Sequence, residues 1–147
     1  MKFSTKTRYG VRAVLEIAMN DDKNGIFQKA ISENQDISYK YLDQIMNGLK
    51  VAGLVTKAAG RKSGYVLTRE PSEITVFDIH NAFEPGICVI DCVSPDYKCE
   101  RKNICSLRGF WGKLNHQIVQ YLKATTIADL MEEQVELEDM TAPTKLN

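Results

Sequence analysis

With 147 residues, 44% of them hydrophobic, the chain is long enough to bury the core of one domain. No stretch approaches the ~18 apolar residues of a membrane span, and Met1-Lys2-Phe3-Ser4-Thr5-Lys6 leads into a helical pattern rather than an apolar leader, so a cytoplasmic protein with no membrane partner is expected. Net charge is zero, yet residues 1–70 carry 12 Lys and Arg against 7 Asp and Glu, a net of +5, and residues 71–147 carry 7 against 12, a net of −5. A basic front half is the layout of a chain that presents one side to phosphates.

The first helical pattern runs from about Thr5 to Asn20, with Gly10, Ala13, Val14, Ile17 and Ala18 on one face. A polar loop over residues 20–25 follows, then a short helix over Gln28 to Asn34. Ser38 is placed to cap a third helix whose core face carries Tyr41, Leu42, Ile45 and Leu49, and Gly53 supplies its stop. Two helices joined so closely, the second longer and capped, form a helix-turn-helix pattern. Residues 54–58 and 65–68 read as two strands around the basic, glycine-bounded tip Ala59-Gly60-Arg61-Lys62-Ser63-Gly64, which is a wing.

Thr75 and Asp78 form a capping-box pattern for a helix ending near Glu84, which Pro85-Gly86 stops. Residues 87–104 show no periodicity. From Ser106 to about Lys123 the pattern is helical again, with a stripe of Leu107, Trp111, Leu114, Ile118 and Tyr121 spaced by four and three. That stripe fits a dimer seam better than the chain's own core. Thr126 and Asp129 repeat the capping pattern for a short helix through Leu130 and Met131, and an acidic, then polar, tail is expected to fray. The fold class is therefore mainly α with a small β wing: a winged helix-turn-helix domain over residues 1–84, a cysteine loop over 85–105, a dimerisation helix with a short terminal helix over 106–135, and a flexible tail over 136–147.

Two regions carry chemistry. Ser38, Tyr39, Lys40, Asp43 and Gln44 remain for solvent once the third helix has buried its apolar face, at the N-terminal turns where a recognition helix meets base edges. Arg61 and Lys62 at the wing tip can enter a minor groove or clamp the backbone, and Lys2, Lys6, Arg8 and Arg12 add positive charge to the first helix. All four cysteines fall within 18 residues as Cys88-x3-Cys92-x6-Cys99-x5-Cys105. Zinc knuckles usually pair Cys-x2-Cys or Cys-x4-Cys units, which are missing here; the wider gaps suit an iron-sulfur cluster, with redox-active thiols and zinc as the alternatives. His80 and His116 read as surface or seam residues rather than ligands.

The blocks Lys6-Thr7-Arg8-Tyr9-Gly10-Val11, Ile37 through Ile45, Gly53-Leu54-Val55 leading into Gly64-Tyr65-Val66-Leu67, and Thr126 through Leu130 resemble the Rrf2 family of winged-helix transcription regulators, over Met1 to about Met131. The resemblance implies a homodimer with crossing C-terminal helices that binds a double-stranded DNA operator. It also implies a cluster, held in the cysteine-bearing branch by thiols that map onto Cys92, Cys99 and Cys105, which tunes DNA affinity. The fourth ligand departs from the pattern. Some members use a histidine two residues after the last cysteine, where this chain has Leu107, and others an aspartate near the N-terminus, where it has Arg8. Cys88 is the local substitute, and a 2Fe-2S centre is favoured over a 4Fe-4S one. The wing carries Ala59 where members often have arginine, which passes the groove contact to Arg61, and Asp43 stands in place of a selectivity-setting glutamate.

The function expected is a repressor controlled by an iron-sulfur cluster that senses iron, redox state or nitric oxide. The alternatives are a cluster-free regulator that senses by cysteine oxidation or partner docking and, in another class, an electron carrier or cluster donor on a winged-helix scaffold. No acid/base pair, nucleophile constellation or phosphate loop marks an enzyme.

Overall fold

Helix α1 (Thr5–Met19) begins where the Ser4 hydroxyl accepts from the Thr7 amide, and buries Ala13, Val14 and Ile17. These side chains recur at the spacing that places them on one face. The computed structural model describes residues 1–143. Helix α2 (Gln28–Gln35) contributes Ile31, and its C-cap Asp36 is left-handed at φ 50°, turning the chain sharply toward the next helix. Helix α3 (Tyr39–Val51) is capped by Ser38, whose hydroxyl accepts from the Tyr41 amide at 3.2 Å. Leu42, Ile45, Met46 and Leu49 from α3 are fully buried, each contributing roughly 1.5–3 kcal/mol by leaving water. Gly53, at φ 72°, ends the run in the left-handed conformation that glycine adopts most cheaply.

The wing is an antiparallel pair, β1 (Val55–Lys57) and β2 (Tyr65–Leu67), in the register Val55 to Leu67 and Lys57 to Tyr65. Its base is tied to the loop after α1. Ile26 and Tyr65 exchange backbone hydrogen bonds at 3.1 and 2.8 Å. The two capping boxes read from the sequence are formed. Thr75 and Asp78 open α4 (Val76–Asn81), and Thr126 and Asp129 open α6 (Ile127–Thr141). Between them lies α5 (Ser106–Ala124). The segments entering α4 and α6 lie side by side, with the Ile127 amide donating to Ile74 at 2.8 Å and the Val76 amide to Thr125 at 3.0 Å. Ile74, Ile79 and Ile127 complete the core here.

Three expectations are corrected. Helix α4 ends at Asn81 rather than near Glu84, and the next residues continue as turns. Helix α6 does not stop at Met131 but continues to Thr141, because the capping box opens a run of strong helix formers and Leu130 and Met131 pack on the core. Residues 136–141 of the expected tail are thus helical, and residues 144–147 lie outside the described residues. His80, expected at the surface or seam, is 4% exposed.

One packing feature joins the halves. Phe83, just after α4, sits in a notch between α1 and α3 that two glycines create. A methyl on Gly10 would lie 2.5 Å from Phe83 Cε2, and one on Gly48 2.7 Å from Cε1. Gly48→Ala is expected to lower unfolding free energy by about 1–3 kcal/mol through overpacking, against the ~1 kcal/mol that alanine gains in a helix interior. Urea unfolding of Gly48→Ala, Phe83→Leu and the double variant checks this. The smaller side chain should relieve most of the cost, and additive losses would mean that the ring gives way freely.

Candidate nucleic-acid interface and cysteine loop

The buried face of α3 leaves Ser38, Tyr39, Lys40, Asp43 and Gln44 exposed together at its N-terminal turns, so the structure brings the expected reading residues onto one surface. Asp43 is held from a neighbouring helix. Gln28 Nε2, from the buried first residue of α2, donates to Asp43 Oδ1 at 3.2 Å. Tyr65 on β2 lies close by. Burial, and then the negative charge of Asp43, pushes its phenol above the usual tyrosine range, and Lys57 Nζ stands 4.1 Å from its ring centroid. Arg61 and Lys62 are exposed in the turn between the strands.

Lys6 and Arg8 are exposed on α1, with Arg8 donating to Thr5 Oγ1 at 3.2 Å. Arg12 is already engaged: its guanidinium donates to Gln35 side chain and backbone and stacks on Tyr9. Lys2 lines a pocket with His80 and Cys88.

The loop between α4 and α5 is secured mainly from α5. Asn115 Oδ1 accepts from the Val89 amide at 2.9 Å, and Arg108 Nε donates to the Cys92 carbonyl at 3.3 Å. Cys92, Cys99 and Cys105 line one cavity of about 380 Å³, together with Arg101, Arg108 and Trp111. Cys105 is the N-cap of α5 and makes no side-chain capping bond, so the helix starts at this residue with no side chain capping its first amides and with the positive end of its dipole there. Three thiols, two guanidiniums and a helix N-terminus are the donor set and field that an anionic, thiolate-held group needs. All four cysteines are free thiols. Cys88 lies elsewhere, in a separate pocket with Met1, Phe3, His80 and Glu84. Among the described residues, no three His, Cys, Asp or Glu side chains stand together at metal-binding distances.

Sequence reading missed the corner where this loop leaves α4. His80 Nε2 pairs with the Gly86 carbonyl at 2.8 Å, and its Nδ1 lies 3.4 Å from Thr7 Oγ1. Glu84 Oε1 accepts from Thr7 Oγ1 at 2.8 Å and from the Ser4 amide at 3.3 Å. Ser4 and Thr7 lie more than 70 residues from His80 and Glu84, so these contacts leave no local signal. Gly10 and Gly48, glycines inside helices with no turn to make, were the available clue to Phe83.

The expected seam faces solvent in the single chain. Leu107 is 62% exposed, Tyr121 72% and Leu114 39%, with Trp111 and Ile118 half-buried. Phe110, missed in the stripe, is exposed beside them. No described helix is long and apolar enough to cross a membrane.

A capped recognition helix with a free polar face, followed by a basic wing, defines a winged-helix DNA-binding regulator. The family model for Rrf2, described as an iron-dependent transcriptional regulator, matches residues 3–133. The chain belongs to the Rrf2 family. It is 34% identical over 133 residues to protein rrf2 of Nitratidesulfovibrio vulgaris, covering 90% of this chain and 89% of that one. It is 33% identical over 138 residues to the HTH-type transcriptional regulator IscR of Vibrio atlanticus, covering 94% and 79%. Among solved structures, CymR, the global cysteine regulator of B. subtilis, matches with a TM-score of 0.76 at 32% identity over 90% of this chain and 98% of that one. T. potens IscR matches with a TM-score of 0.75 at 30% identity over 98% and 93%. The family and these relatives make the chain a transcription regulator and not an enzyme.

The Glu84 corner has a pH signature. Hydrogen bonds from Ser4, and then Thr7, hold its carboxyl below the usual range. Because its folded-state pKa lies below its unfolded one, its contribution is present above the unfolded pKa and lost as pH falls through the folded one. Glu84→Gln should therefore be less stable than wild type at neutral pH, with the difference shrinking below about pH 4. Melting temperatures from pH 7 to 3 test this; a constant difference would assign the loss to packing instead.

Proposed function

We propose that this regulator is a cytoplasmic, homodimeric repressor whose affinity for its operator is set by an iron-sulfur cluster bound through Cys92, Cys99 and Cys105. The observation that carries this reading is the cavity lined by those three cysteines with Arg101 and Arg108, beside the uncapped end of α5. A cluster held there supplies reversible redox chemistry and sensitivity to iron, oxidants and nitric oxide. A 2Fe-2S centre is favoured.

The chain's own groups do the rest. Arg101 and Arg108 offset negative charge, and Trp111 covers one side of the cavity. Ser38, Tyr39, Lys40, Asp43 and Gln44 read base edges, while Arg61, Lys62, Lys6 and Arg8 meet phosphates or the minor groove. Residues 1–84 then form the reader, 85–105 the sensor and 106–135 the dimer element, with Leu107, Trp111, Leu114, Ile118 and Tyr121 closing against a second copy. Cys88 serves as fourth ligand only if the segment around Gly86–Cys92 swings out of its present pocket.

Protein purified without oxygen should be coloured and contain iron and sulfide, and Cys92→Ala should be colourless. Loaded and apo wild type should differ in operator affinity by about 5–150-fold, a coupling of ~1–3 kcal/mol. Equal affinities would sink the switch, and the colour of Cys88→Ala decides the fourth ligand.

Dimerisation has its own test. Leu114→Glu places a charge in the apolar stripe, so sedimentation should show monomers, and operator affinity should fall roughly 10-fold or more as the second half-site contact is lost. A dimeric Leu114→Glu protein would place the interface elsewhere.

A second reading has specific support: the thiols are free and the fold matches CymR, the global cysteine regulator of B. subtilis. Sensing by thiol oxidation would leave a colourless, iron-free protein whose DNA binding responds to a mild thiol oxidant.

A further inference from the structure

A base-reading side chain on an exposed helix face is ordinarily free to turn until DNA arrives. Asp43 is not. One of its oxygens accepts from Gln28 Nε2 at 3.2 Å, and Gln28 is only 6% exposed, at the first position of α2. A buried amide N–H cannot exchange this partner for bulk water without leaving a desolvated donor behind, so the bond favours one carboxylate orientation. The bond also bridges the two helices of the helix-turn-helix, linking the Asp43 rotamer to the angle between them. Tyr65 from the wing lies near enough to feel the same carboxylate's charge, and Lys57 in turn stands over the Tyr65 ring.

A carboxylate facing DNA is repelled by phosphates, and a base edge that also presents an acceptor adds to the repulsion. It is tolerated where a base offers a hydrogen-bond donor. With Oδ1 occupied, Oδ2 is the acceptor left for the groove.

We propose that Gln28 is a specificity-determining positioning residue: by holding Asp43 it makes one operator position read for an exocyclic base amine, N4 of cytosine or N6 of adenine, and rejects the carbonyl edges of thymine and guanine there. This rests on the operator-reading function proposed above and adds a residue that does not itself touch DNA. The positioned carboxylate acts through its direction as much as its charge.

The test is selection of the full-length protein against a duplex pool randomised across the half-site, followed by affinity measurements on the enriched site and on variants changed at one base pair. Wild type should enrich an amine-bearing base at one position per half-site, about 10-fold or more over thymine or guanine; the base enriched identifies cytosine or adenine. Gln28→Leu should reduce that preference to about 3-fold or less while the other positions keep theirs. In an Asp43→Ala background, Gln28→Leu should change selectivity no further, because no carboxylate remains to be held. Melting curves accompany each variant, and Gln28→Met replaces Gln28→Leu if the latter does not fold.

Retention of the same preference by Gln28→Leu overturns the inference. So does an equal weakening on all sequences that persists in the Asp43→Ala background, since that is the mark of a purely structural role. A wild type that enriches no sequence would instead overturn operator reading itself, and this inference with it.

Discussion

The backbone bridge between Thr75 and Thr126 is the constraint around which the molecule is arranged. It brings the starts of α4 and α6 together over Ile74 and Ile127, both wholly buried. Beyond α4, the cysteine loop and α5 form a long excursion that returns beside the start of α4. The bonds that close it run between residues 74–76 and 125–127 and involve no residue of the cysteine loop. Each capping box satisfies amide donors at its helix start, so neither end depends on the loop to be stable.

Inside that excursion little apolar surface is buried. Leu122 is the α5 side chain counted as buried among the described residues, and the loop relies on Asn115 and Arg108 reaching back from α5. A segment with so little core is ordered by what it binds and by what covers its exposed apolar stripe.

Much of the reader was legible in the sequence because its determinants are local. Ser38, Thr75 and Thr126 cap where their spacing to following residues says they should, Gly53 stops α3, and the glycine-bounded basic tip between β1 and β2 forms a wing. The face of α3 left to solvent followed from the residues assigned to the core, although Met46 was not among them. What escaped depends on contacts remote in sequence. His80 looks like any polar helix residue until Thr7 and Gly86 are brought around it. Gln28 gives no sign that it will be buried against Asp43, fifteen positions on. The cysteines were legible as a cluster in sequence but not as a set in space: three share a cavity and Cys88 faces the N-terminus. The acidic composition after Met131 hides the length of α6, which its capping box and the contact of Leu130 and Met131 with the core extend to Thr141.

The Phe83 socket sets how loop and reader are joined. It is an apolar fit between a ring and two helix backbones, with no charge on either side. Attraction between Lys or Arg and phosphates fades as counterions crowd the duplex, but shape complementarity at an apolar contact does not. Ionic strength therefore acts on how tightly the protein holds DNA, and leaves nearly untouched the packing of Phe83 against α1 and α3.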